Sequence, residues 1–268
     1  MIDLHCHILP GIDDGPGSVT DAVEMARVAV DAGTTTIACT PHMHPRYPTP
    51  PALVLEGVRD LQGRLDALDV PLRLVPGGEV SLDRLPRMDD AALAMACLGD
   101  GRHLLVEMPF GGWPLRLAET IRDLEMRGFG VILAHPERAE AVQRAPDRMR
   151  DIVGRGALVQ VTAGSLTGEH GAGARRAAER LLGSGWVHFL GSDAHSAGPW
   201  RPPGLSGGLD AAARVLRTEP DALRWMVEEG PRAVLEGQPV RPPRLTPSRT
   251  PRADGGPAHG APRSPSRG

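Results

Sequence analysis

Residues 1–7 read Met-Ile-Asp-Leu-His-Cys-His. Positions 1–4 form an apolar run of the length of a buried strand, and it ends at once in ionisable side chains. Residues two apart in an extended segment point to the same side, so His5 and His7 can reach one metal ion. A lone HxH pair is weak ground for that conclusion, because histidines near strand ends are often only hydrogen-bonded structural groups. Repetition of the pattern along the chain gives it weight.

Further apolar runs at 35–39, 72–75, 104–106, 131–133, 158–161 and 187–190 read as buried strands. Helical patterns lie between them at 18–32, 51–68, 114–127, 146–155, 173–182 and 205–217. The first opens on Ser18 as an N-cap, with Asp21 three residues on, and closes at Gly33. Strands alternating with helices predict a parallel sheet with helices outside it. About seven such units in a chain of this length favour a barrel over an open sheet. In either architecture active sites collect where strands end and loops begin.

Those ends carry ligand types. The second strand is followed by Thr40-Pro41-His42, the third by Gly77-Gly78-Glu79, and the fourth ends in Val106-Glu107. The fifth is followed by Ala134-His135-Pro136-Glu137-Arg138 and the seventh by Ser192-Asp193-Ala194-His195. Ionisable groups at the mouth of a buried sheet are costly unless paired or metal-bound, and so many placements exceed what caps and ion pairs account for. The candidate ligands are His5, His7, Asp14, His42, Glu79, Glu107, His135, Asp193 and His195, five imidazoles and four carboxylates. Three divalent cations would leave that set net positive. Such a site attracts a phosphate dianion, lowers the pKa of a bound water and offsets charge in a transition state. Oxygen donors mixed with imidazole suit manganese, iron or zinc without choosing among them.

Composition removes the rival chemistries. The 268 residues, 41% hydrophobic, suffice for one α/β domain with a proper core. A net charge of −3 gives no basic footprint for nucleic acid. No apolar run approaches the roughly 18 residues of a membrane span, so stable membrane insertion is not expected. Nothing after Met1 reads as a secretory leader, and a cytoplasmic protein is the expectation. The chain has no lysine, which excludes a Schiff base and a Walker-type phosphate loop. Cys6, Cys39 and Cys97 form no CxxC pair, and neither Cys39 to Arg46 nor Cys97 to Arg102 has the spacing of a cysteine-phosphatase loop. From Gly237 onward the sequence is rich in Pro, Arg, Ser and Gly with little to bury. Residues 1–236 are therefore expected to form the domain and 237–268 a disordered Pro/Arg-rich tail.

The segments HCHILPGIDDGP, TPH, GGE, VEMPF, AHPER, QVTAGSLTGEHG and SDAH occur in this order between Met1 and about Gln238. Together they resemble the polymerase and histidinol phosphatase (PHP) superfamily. More narrowly, they are similar to its bacterial manganese-dependent protein-tyrosine phosphatases of capsule and exopolysaccharide biosynthesis. The resemblance implies a distorted (β/α)7 barrel with three metal ions, manganese by the family pattern, at one mouth. It implies that His5, His7, Glu79 and Asp193 hold the first ion. Glu79 as a bridge, with Glu107 and His135, would hold the second, and Asp14, His42 and His195 the third. It also implies two arginines that grip phosphate, Arg138 from AHPER and, in the Pro-rich loop after SDAH, Arg201; guanidinium matches phosphate oxygens bidentately. Asp13, beside Asp14, is open to a supporting role or to exchange with it. His44 and Arg46 read as surface loop residues, and Glu137 as a loop support.

The implied substrate is a phosphotyrosine protein, specifically a bacterial tyrosine kinase that regulates polysaccharide biosynthesis. Two alternatives stand beside it. One is a phosphatase for a small alcohol phosphate such as histidinol phosphate, and the other an inactive metal-binding regulatory protein.

Overall fold

A computed structural model describes residues 1–242. The expected disordered tail at 237–268 lies mostly outside the described residues; within them, Val240 still packs on the core. The strands in chain order are β1 (Ile2–Cys6), β2 (Thr36–Cys39), β3 (His42–His44), β4 (Tyr47–Pro48) and β5 (Arg73–Pro76). They continue with β6 (Glu79–Ser81), β7 (His103–Glu107), β8 (Gly130–Ala134), β9 (Leu158–Thr162) and β10 (Phe189–Gly191).

The strands form two sheets in a mixed α/β fold. One has the order β1-β2-β5 and the other β10-β9-β8-β7-β6-β3-β4, with every pairing parallel except β3 with β4. Each of the seven apolar runs contains or overlaps a strand. Two strand paths change sheets after a two-residue break, β2 into β3 across Thr40-Pro41 and β5 into β6 across Gly77-Gly78. Pro41 has no N–H for a ladder, which suits it to such a break. At the other side, Cys6 bridges Ala194, the His7 N–H donates to Ala194 O at 2.9 Å and the Asp193 N–H to His5 O at 2.8 Å.

Alternation along the strands sorts side chains between two cores. Leu4, Ala38, Val75, Leu105, Ile132, Ala134 and Phe189 share one buried cluster, with Leu158 packed against it. Leu104, Val106, Val131, Leu133, Val159 and Leu190 join the larger cluster with the helices. That larger cluster takes Ala22, Met25, Ala26 and Ala29 from the helix Val19–Asp31, whose apolar residues recur at three- and four-residue spacing. Ser18 caps it as expected, accepting from the Asp21 N–H and donating its hydroxyl to the Asp21 carboxylate.

In β1 the alternation slips. The register shifts between Asp3 and Cys6, and Leu4 lies in one cluster while Cys6 lies in the other. Asp3, fully buried, holds the irregularity by accepting from the His5 and Ser192 N–H groups, each at 3.1 Å.

Candidate metal centre

The nine predicted ligands converge at one end of the strands. Donor atoms of His7, Asp14, His42 and His195 lie mutually within 4.8 Å, as do those of His5, His7 and Asp193, of His5, Glu79 and His135, and of His42, Glu79 and Glu107. The grouping differs in detail from the family-based expectation. His7 sits with the Asp14 group as well as with His5, and Glu107 meets His42 and Glu79 rather than His135.

The atoms face one another in a way that a cation explains better than protons do. His5 Nε2 and His7 Nε2 are 3.2 Å apart, and both lie 3.3–3.4 Å from Asp193 Oδ1. Glu79 Oε1 accepts from His135 Nε2 at 2.7 Å, while its Oε2 is 2.8 Å from His42 Nδ1 without hydrogen-bond alignment. Glu79 Oε2, Asp193 Oδ1, His42 Nδ1 and His195 Nε2 are buried with no hydrogen-bond partner. Orphaned buried donors and acceptors are rare, and these four of the orphans among the described residues sit together on the candidate ligands. The residues present fit a polynuclear cation site.

Neighbouring groups set which imidazole nitrogen is free. His5 Nδ1 lies 2.9 Å from Gln160 Oε1, His7 Nδ1 2.7 Å from Asp13 Oδ2, and His195 Nδ1 3.0 Å from the Asp193 carbonyl. Each of these acceptors keeps the proton on Nδ1 and leaves Nε2 turned to the centre, the arrangement typical of metal-bound histidine. Asp13 also accepts from the His42 N–H at 2.9 Å and the Gly15 N–H at 3.0 Å, so it braces the centre while Asp14 supplies the donor atom.

The carboxylates split in their proton affinity. Burial raises Glu79, but His5 and then His135 and His42 hold it well below the usual carboxylate range. Burial also opposes Asp193, which His5, His7 and Arg201 keep ionised. Glu107 goes the other way: burial, with the charges of Glu79 and Asp193, pushes it up to about 8. A cation beside Glu107 would favour its ionised form instead.

Arg138 and Arg201 stand at the rim, both paired to Asp193 Oδ2, and the Arg201 Nε also donates to the Asp193 carbonyl at 3.1 Å. One oxygen of Asp193 therefore faces the imidazoles and the other takes both guanidinium groups. Arg201 occupies a left-handed backbone conformation, φ +52°, as do His135 at +33° and Asp193 at +53°. Non-glycine residues adopt this region at a cost, and such residues cluster at functional sites.

Of the other candidates, His44 accepts from the Arg46 N–H at 3.1 Å and borders a groove shared with Pro48, Arg84 and Arg87. Glu137 is fully buried, accepting from the Thr162 N–H and the Ser165 hydroxyl, and ties its loop to β9. Gln160 and His170 were not foreseen. An amide inside an apolar strand and a histidine in a glycine-flanked turn carry no spacing signal. His170 lies near enough for the charges of Arg138 and Asp193 to act on it, and burial pushes its imidazole down to about 4.

An α/β fold with a buried imidazole and carboxylate centre and two arginines at its rim has the layout of a metallohydrolase. The profile of the family described as capsular polysaccharide synthesis, CpsB/CapC, matches residues 1–236, and the chain belongs to that family. Tyrosine-protein phosphatase YwqE of Bacillus subtilis is 39% identical over 197 residues, covering 73% of this chain and 78% of that protein. Tyrosine-protein phosphatase CpsB of Streptococcus pneumoniae is 25% identical over 246 residues, covering 89% and 99%. A solved structure from work on YwqE and CpsB, described there as unique metal-dependent tyrosine phosphatases, superposes with a TM-score of 0.80 at 32% identity. It covers 93% of this chain and 100% of that one. A β-aspartyl dipeptidase from Fervidobacterium islandicum AW-1 shares the fold alone, with a TM-score of 0.55 at 14% identity over 87% of this chain and 72% of that one.

Proposed function

We propose that this chain is a metal-dependent protein-tyrosine phosphatase acting in the cytoplasm. Its substrate would be phosphotyrosine on a bacterial tyrosine kinase that regulates polysaccharide biosynthesis. Residues 1–236 would be the catalytic unit. The observation that carries the reading is Asp193, which offers one oxygen to the imidazole cluster and the other to Arg138 and Arg201. Family membership narrows the phosphate ester to phosphotyrosine.

We read the strands as a distorted (β/α)7 barrel. β1, β2 with β3, β5 with β6, and β7 to β10 then follow one another in chain order, and the contacts between β1 and β10 support a closed circuit. Side chains from all seven paths share one cluster, which supports that reading.

His5, His7, Asp14, His42, Glu79, Glu107, His135, Asp193 and His195 would hold three divalent ions, manganese by the family pattern. Bound ions would supply Lewis acidity and an activated water. The chain's own side chains do the rest. Arg138 and Arg201 grip the non-bridging phosphoryl oxygens, and Asp193 holds both arginines in place. Asp13 and Gln160 fix the imidazole tautomers. A phenol leaves with a pKa of about 10, so it needs less proton donation than an alcohol.

The thiols fit this route. All three cysteines are buried, and burial pushes Cys97 up to about 12, far from a reactive thiolate. With manganese supplied, phosphotyrosine peptide should turn over in preference to histidinol phosphate, lose turnover to chelator and keep it after thiol alkylation. Equal or better turnover of histidinol phosphate would assign the site to small alcohol phosphates instead.

A further inference from the structure

Only 3% of the chain is aromatic, and most of those rings are spent on packing. Phe129 and Phe189 are fully buried, and Trp113, Trp186 and Trp225 pack on the cores. Among the described residues, Tyr47 is half-buried and stacks on His42, and Phe110 and Trp200 are the aromatic side chains left exposed, at 45% and 63%. Both border the candidate centre. The Phe110 ring stacks on His135, 5.8 Å between centroids and 9° between planes, and lies 5.1 Å from the Arg138 guanidinium carbon. Trp200 meets His195 edge-on at 6.2 Å and lies 5.4 Å from the Arg201 guanidinium carbon. Each arginine that converges on Asp193 thus carries one exposed ring.

We infer that Phe110 and Trp200 form an aryl subsite that receives the phenyl ring of the substrate and sets the preference for aryl over alkyl phosphates. The inference rests on the phosphatase reading above. A phosphoryl group gripped by Arg138 and Arg201 points its ester oxygen away from the buried ligands. The exposed rings beside those two arginines, Phe110 and Trp200, are then within reach of the substituent. A phenyl group can stack on either ring or pack against its edge, burying surface that both partners otherwise expose to water. A short alkyl chain gains little there. The arginines keep the rings in position through cation–π contact, so anion grip and ring recognition share their supports.

The test compares two anions that differ only in the substituent, phenylphosphonate and methylphosphonate, titrated calorimetrically into the manganese-loaded full chain. The parent protein should bind phenylphosphonate about tenfold more tightly. Phe110→Ala and Trp200→Ala should each erase most of that ratio while leaving the affinity for inorganic phosphate within about twofold. Trp200→Phe should retain it. If the variants keep the ratio, or lose both phosphonates and phosphate equally, the rings only support the arginines and the aryl subsite is wrong. A phenyl preference that depends on both rings in a protein that fails to hydrolyse phosphotyrosine would support the subsite and overturn the phosphatase reading.

Discussion

Two single residues carry tests of how the centre is prepared. Gln160 is fully buried on β9, and its amide oxygen accepts from His5 Nδ1. Gln160→Leu keeps the volume and removes the acceptor, so His5 loses its fixed tautomer. Manganese affinity should fall about 10- to 100-fold with the far-ultraviolet circular dichroism unchanged; a metal titration checks it. Glu107 gives a pH dependence. Its carboxyl, pushed up to about 8, is protonated at neutral pH in the metal-free protein and must ionise to bind a cation. Metal affinity should therefore rise as pH climbs toward 8 and level off above it, and Glu107→Gln should flatten the rise. The sign for folding is opposite: a raised carboxyl favours the metal-free fold at low pH, and that contribution is lost as pH rises through 8. Eight of the nine ligand candidates could be named from sequence because each follows an apolar run, while Asp14 stands in the loop segment HCHILPGIDDGP. Gln160 and His170 lie in QVTAGSLTGEHG and Phe110 in VEMPF, but no spacing gave them or Trp200 a role, since amides and aromatics in strands and loops look like ordinary packing until their neighbours are known.

At the scale of elements, the loop between β1 and the helix Val19–Asp31 must bring Asp13 and Asp14 back over the end of β1. Gly15 makes that close return possible: a Cβ there would stand 2.2 Å from the His7 carbonyl oxygen. The nearest atom is backbone, which leaves little room to yield. Gly15→Ala should push Asp13 and Asp14 away from His7 and His195, weakening metal retention more than global stability; equilibrium dialysis beside thermal melting separates the two. The seven apolar runs and the six long helical patterns all correspond to strands or helices here. What escaped the sequence were β3, β4 and β6 and short helices such as Asp90–Ala96 and Ala163–Thr167. Two- and three-residue strands are too short for alternation to be read. The breaks at Thr40-Pro41 and Gly77-Gly78 read as strand ends although the chain merely changes sheets there.

For the whole molecule, the two cores and much of the centre follow from alternation along parallel strands, with the slip in β1 as the exception. Leu105 and Glu107 share a face, as do Leu158 and Gln160, so the same positions that fill the inner core become ionisable or polar at its end. No helix among the described residues is long and apolar enough to cross a membrane. A centre built this way is expensive without cations, because Glu79, Asp193 and four of the five imidazoles are buried together. The most direct measurement is the metal content of the purified protein set beside its turnover of a phosphotyrosine peptide. About three divalent ions per chain are expected, with turnover lost to chelator, restored by manganese and abolished in His135→Ala. A protein without stoichiometric metal, or turnover that survives either the chelator or His135→Ala, would contradict the account.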